Sequence, residues 1–260
     1  MKKMSQSILR EVAHRPCPLP QGPWLMRQTW HDLLFAHWPV EPALLRPLVP
    51  ASFELDTFDG AAWVGVVPFW MSGVALRGMP ALPSFPELNV RTYVTTGDRA
   101  GVFFFSLDAA NRLAVWGART FLRLPYFRAT MAVSSPAAVH YTSRRHGTGV
   151  QAEFRASYQP DGAPFHPADG TLEWFLTERY CLYHLDRRGT PSRLEIHHPR
   201  WLLQRAQAAI EVNTMGRVNG IELPARPPLL HFAKRQDMIA WRPERLRAAA
   251  ERISQWSPVR

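Results

Sequence analysis

An α+β domain on a large, closed, mainly antiparallel sheet with a few flanking helices is the fold class these 260 residues predict. Three observations carry that expectation. Apolar alternation recurs in many short stretches bounded by turn residues, which is the pattern of strands. Helical periodicity is confined to a few brief segments. The 24 prolines interrupt the chain too often for long helices. With 46 % hydrophobic residues the chain can fill a sizeable core.

In order along the chain, residues 1–22 read as a flexible arm, 23–242 as one domain and 243–260 as a helical tail. Segment 24–38 is an aromatic-rich strand. Segment 41–48 is a short helix, with Pro42 suited to its first turn. Strands 53–58 and 61–70 flank Asp59-Gly60, a strong hairpin dipeptide. The second is apolar throughout and should be buried on both faces. Residues 71–86 form a loop rich in Gly, Met and Pro, suited to a lid. Strands 88–96 and 101–108 follow. Segment 111–122 is a helix capped by Asp108 or Asn111. Strands are expected from Pro125 to Val133 and over 138–145 and 150–158. Residues 171–177 read as a helix, and 179–185, 194–197, 204–212 and 229–241 as strands or mixed elements.

Composition excludes several functions. The formal charge is +10, from 31 basic and 21 acidic residues. That excess is scattered, with one loose cluster over 242–247. A specific nucleic-acid partner needs a clustered basic face, so none is expected. The aromatics fall in apolar runs, which suits a core better than a base-stacking platform. The two cysteines, Cys17 and Cys181, are too few for a disulfide scaffold or a zinc site. No histidine spacing supports a metal, because neighbours such as His197 and His198 point to opposite faces of a strand. The start of the chain is no signal peptide, and no stretch has the length of a membrane helix. A soluble cytoplasmic protein without cofactor or metal is expected, with homo-oligomerisation left open.

The stretch 85–130 holds the chemistry. Strict alternation puts Glu87, Asn89, Arg91 and Tyr93 on one face of a strand, and Leu88, Val90 and Val94 on the other. An acid, an amide, a guanidinium and a phenol thus stand in line. The neighbouring strand is aromatic on both faces, so this polar line should meet a pocket rather than open water. The plainer alternative is a solvated face.

Several stretches together resemble the YqjF-like family of bacterial proteins of unknown function. They include Trp30-His31-Asp32, Asp56-Thr57-Phe58-Asp59-Gly60, the strand from Glu87 to Val94, Ala118-Arg119, Leu124-Pro125-Tyr126 and Leu176-Thr177-Glu178-Arg179-Tyr180. The resemblance implies an acetoacetate decarboxylase-like barrel that encloses a pocket. It also implies a contrast. Tyr126 and Phe127 stand where those decarboxylases carry paired lysines, and tyrosine forms no imine. Lys2, Lys3 and Lys234 are the only lysines. The resulting expectation is a pocket for a small carbonyl or carboxylic acid compound. Glu87 and Tyr126 are its catalytic candidates. Asn89, Arg91, Tyr93 and Arg119 are its ligand-binding candidates, with Arg119 paired to Glu87. A non-Schiff-base lyase or hydrolase-type enzyme fits that set. A non-catalytic small-ligand sensor or interaction protein is the alternative.

Overall fold

The structure, a computed structural model, describes residues 7–246 apart from 98, 136, 148, 150 and 187. Its strands are β1 (Met26–Val40), β2 (Glu54–Leu55), β3 (Ala62–Leu76), β4 (Phe85–Thr96), β5 (Arg99–Ala109), β6 (Tyr126–Ser134) and β7 (Val139–Arg145). They continue with β8 (Glu153–Phe165), β9 (Cys181–Leu185), β10 (Pro191–His197), β11 (Leu203–Asn213), β12 (Leu229–Ala240) and β13 (Glu244–Arg245). Three short helices intervene: α1 (Pro42–Leu45), α2 (Arg112–Gly117) and α3 (Leu172–Thr177). All the strands belong to one sheet, in the order β13-β10-β9-β5-β6-β7-β8-β11-β12-β1-β3-β4-β2. β4 also pairs with β5, so the run from β5 through β4 is hydrogen-bonded back to its own start. Most pairs are antiparallel. β5 departs from that rule, running parallel to both β6 and β9.

Apolar packing on both faces explains why the first part of β3 reads as continuously hydrophobic. One cluster joins Leu33, Phe35, Phe69, Tyr93, Phe104, Phe175 and Trp201. A second joins Leu34, Ala36, Val64, Val66, Leu88 and Val90 to Tyr141, Phe154 and Tyr158. Successive residues of β1 and β4 feed the two clusters in alternation, as the pleat requires. The middle stretches of these strands are therefore largely buried on both faces.

Several boundaries differ from those expected. The Asp59-Gly60 turn is present, with φ of 49° and 77° as a tight hairpin turn demands. It closes only the bridge between Phe58 and Ala61. The strand before it pairs instead with β4, through Leu55 opposite Val94. β3 runs on to Leu76, which shortens the expected 71–86 loop. α2 is capped by Asn111, whose side chain accepts from the amides of Leu113 and Ala114. Asp108 is a strand residue. The helix then widens into a π-helical turn over Ala118–Leu122, and Arg123 ends it in the left-handed region. In the expected tail, β13 replaces the start of the helix; residues 247–260 lie outside the described residues. Residues 1–6 of the expected arm do too. The rest of the arm is held: Ile8 is buried against Ile239 and Trp241. Arg15 is buried and pairs with Glu195 at 2.8 Å. Among the described residues no helix is long and apolar enough to cross a membrane.

Candidate functional site

Under the first cluster lies a cavity of about 80 Å³. β4 contributes Glu87, Asn89 and Arg91 to its wall, β6 contributes Tyr126, and the segment after α3 contributes Arg179. Trp30, Phe35, Phe69, Phe104 and Trp201 supply the apolar remainder. The alternation read along β4 therefore brings three of its four polar residues to one hollow. The fourth, Tyr93, is buried behind it.

Glu87 and Tyr126 meet there. The phenol donates to Glu87 Oε2 at 2.7 Å. Glu87 is almost fully buried, and burial pushes its carboxyl up to about 8; the Tyr126 hydrogen bond opposes that, and nearby Asp108 adds to it. Glu87 is thus a neutral acid at pH 7. Burial, then the charge and hydrogen bond of Glu87, hold the Tyr126 phenol well above its ordinary range. Tyr141 fixes the backbone at this point by donating to the Glu87 carbonyl at 2.6 Å.

Arg91 is held without a carboxylate partner among the described residues. Its Nη2 donates to the Leu176 carbonyl at 3.2 Å, at the end of α3. Its guanidinium lies over the Phe35 ring, 5.4 Å from the centroid. Its Nε and the Asn89 Oδ1 are buried with no hydrogen-bond partner among the described residues. Tyr93 shares the same anchor, donating to the Leu176 carbonyl at 2.8 Å and sitting 2.7 Å from His37 Nε2. Burial, Arg91 and His231 keep His37 neutral at pH 7. A neutral ring can then donate Nε2–H to the phenol oxygen.

Gly65 makes room for this arrangement. It faces His37 across β1–β3 and Arg91 across β3–β4. An added Cβ would lie 2.9 Å from the His37 ring and 3.4 Å from Arg91 Cγ. Gly65→Val should displace both side chains and lower stability by ~1–3 kcal/mol, the usual range for overpacking. Urea midpoints check this. An unchanged midpoint would mean that the His37 pocket yields freely.

Arg179 also lines the cavity, but its charge is already matched. Its Nη1 lies 2.6 Å from Asp56, and its Nε donates to the Phe175 carbonyl at 2.5 Å. Sequence reasoning picked out neither residue as part of the site. The signal was a buried-type run, Leu176 to Tyr180, with two charges in its middle. Arg119 corrects the sequence expectation. It is exposed on the π-helical turn, and Glu87 takes its hydrogen bond from Tyr126 instead. The wider turn carries the Arg119 side chain off the face where Leu122 and Leu124 line the cavity. Arg128 and Thr130, at alternate positions after Tyr126 on β6, are exposed as well. Lys234 is on the other side of β1, its ammonium 2.6 Å from Asp32. Among the described residues no lysine lines the cavity. Cys17 and Cys181 are free thiols, and burial pushes that of Cys181 up to about 12. Among the described residues no cluster of His, Cys, Asp or Glu could hold a metal ion.

A family profile for DUF2071, described as an uncharacterized conserved protein, matches residues 27–237. The chain belongs to this family. It is 49 % identical over 227 residues to the uncharacterized protein YqjF of Bacillus subtilis (strain 168), covering 86 % of this chain and 93 % of the relative. Among solved structures it resembles acetoacetate decarboxylase from Legionella pneumophila, with a TM-score of 0.61 and 11 % identity over 93 % of this chain and 95 % of that one. It also resembles the enduracididine biosynthesis enzyme MppR complexed with pyruvate. There the TM-score is 0.60 and the identity 11 %, over 90 % of this chain and 94 % of that one. At such identities the likeness is one of fold, an acetoacetate decarboxylase-like sheet with few helices.

Proposed function

We propose that this DUF2071 chain binds a small carboxylic acid or carbonyl compound in the cavity at Glu87. The carrying observation is Arg91, a guanidinium on the cavity wall with no carboxylate partner among the described residues, in a cavity whose wall also carries a Glu87 that is neutral at pH 7. Arg179 is balanced by Asp56, so the cavity's net charge is positive, and a guest that brings a negative charge completes it. We read the returning circuit of strand pairs, β4 onto β5, as the closed barrel that shields this charge from water.

Arg91 holds the carboxylate, with Asn89 beside it. The acid Glu87, oriented by Tyr126, delivers a proton or hydrogen bond to a carbonyl oxygen. The structural neighbour MppR is known complexed with pyruvate, a compound of this class. Imine chemistry is not part of the reading, because among the described residues no lysine lines the cavity. What remains is acid–base chemistry of a non-Schiff-base lyase or hydrolase type. A sensor that binds without turnover is the second reading. The observation that favours it is a wall with no Ser or Cys nucleophile and with His198 held near 4 by burial.

Calorimetry with acetate, pyruvate and acetoacetate tests the proposal. Arg91→Met should weaken binding of all three roughly 10- to 100-fold, as expected for a lost charge-assisted contact. Equal affinity in the variant and the parent would sink it. Proton NMR of the same mixtures in heavy water separates the two readings. Exchange at the ligand's α-carbon or product formation marks an enzyme; an unchanged bound ligand marks a sensor.

A further inference from the structure

The inner cavity has a neighbour. A cleft of about 740 Å³ shares Met26, Gln28, Leu122, Tyr126 and Leu194 with its wall. The cleft runs between the end of β3 and α2. Its lining is apolar apart from Gln28, Tyr126 and Arg242. At its rim Leu76, Met79, Leu113 and Trp116 are each at least half exposed. Large apolar side chains facing water around one concave surface mark a binding site more often than chance scatter.

The two volumes differ in kind. The inner cavity, at about 80 Å³, is smaller than the 150 Å³ hollow that accepts benzene, and it carries the charge. A guest confined to it is limited to a few heavy atoms. The cleft is nine times larger and carries little polarity. Tyr126 and Leu122 stand where the two meet. Any guest whose acid group reaches Arg91 and whose body exceeds the inner volume must extend past Tyr126 into the cleft.

We infer that the ligand is an amphiphile, with a carboxylate or carbonyl head in the inner cavity and an apolar alkyl chain in the cleft between β3 and α2. The inference rests on the anion-binding reading of the inner cavity. It adds that the chain supplies much of the affinity and that the cleft sets the length preference. The position of Glu87 then places any proton transfer at the head, with the chain serving as anchor.

A chain-length series tests this by calorimetry, from acetate through butyrate, hexanoate and octanoate to decanoate. Affinity should rise by up to about fourfold per methylene once the chain outgrows the inner cavity. Two variants narrow the cleft. Gly117→Trp acts where an added Cβ meets no atom within 4 Å, so the fold should tolerate it. Ala114→Trp acts one turn earlier on the same helix. Both should abolish the gain with length and leave acetate binding unchanged, while Arg91→Met weakens every length alike. A flat profile with acetate still bound through Arg91 overturns the amphiphile and leaves the acid site standing. A length gain in which Arg91→Met lowers the affinity of no member of the series removes the acid site and the inference with it. A gain that survives both cleft variants puts the chain elsewhere and also overturns the inference. Sedimentation of the same samples covers the last alternative. A dimer dissolved by Trp116→Arg, without any length gain, would give the rim to a second copy of the chain.

Discussion

Replacing Glu87 by Gln should flatten the pH dependence of stability between about pH 4.5 and 8 and make the variant the more stable protein above that window. The carboxyl moves from 4.5 in the unfolded chain to about 8 in the fold, driven by burial. The folded state therefore holds a proton that the unfolded state has released across this range. Stability contributed by the neutral acid is complete below pH 4.5 and is lost as pH rises through 8. At 1.36 kcal/mol per unit, the loss comes to roughly 4–5 kcal/mol. Gln keeps the shape and can still accept from Tyr126, but it has no proton to lose. Urea titrations from pH 4 to 9 would show parent and variant together at the acid end and diverging toward the alkaline end. Parallel curves would falsify the protonated state of Glu87.

The same substitution bears on function. A carboxyl poised near 8 is an effective proton donor at neutral pH. If the chain is an enzyme, Glu87→Gln should cost roughly 100- to 10,000-fold in turnover, the usual worth of a positioned acid, with little change in affinity. If it is a sensor, affinity alone responds, and modestly. Stability and activity therefore report on one proton in two ways, and they should titrate together.

How much of this could be read beforehand depended on range along the chain. The β4 line of Glu87, Asn89, Arg91 and Tyr93 was legible because a period of two is local and strict. Tyr126 entered through the family resemblance, as the residue standing where the decarboxylases carry a lysine, and the partner expected for Glu87 was Arg119. The mate of Arg179 was not legible: Asp56 lies 123 residues away, and no local pattern carries such a contact. Arg119 misled because it was carried over from the family resemblance at Ala118-Arg119, and here that segment widens into a π turn that leaves the side chain exposed. Strand existence was clear nearly everywhere, since alternation and turns are local. Strand partners were not. The Asp59-Gly60 turn promised a hairpin, yet the segment before it bonds to β4, where the Asp56 amide donates to the Tyr93 carbonyl at 3.0 Å. Pairing is decided by tertiary packing, which a turn dipeptide cannot see.

Arg145→Leu should destabilise the protein by ~3–5 kcal/mol at neutral pH, the cost of leaving a buried carboxylate without its counter-charge. Arg145 at the end of β7 donates from Nε to Asp108 Oδ1 at 2.8 Å and lies over the Phe127 ring, 4.0 Å from its centroid. The Asp108 side chain is wholly buried and that of Arg145 nearly so, so solvent screens little of the pair. Burial already raises the Asp108 carboxyl, and Arg145 is what opposes it. Without the guanidinium the carboxyl rises further and takes up a proton at higher pH. The sign follows: the variant recovers stability as pH falls. A second change, Asp108→Asn, should restore much of the loss by removing the stranded charge. The site would register the event too. Asp108 already raises Glu87, so an Asp108 that takes up a proton, or is replaced by Asn, removes that push on the Glu87 carboxyl. Chemical denaturation of the two single variants and the double variant from pH 5 to 8 measures the coupling. Additive losses, with no rescue by Asp108→Asn, would show that Arg145 contributes through its packing on Phe127 and not through its charge.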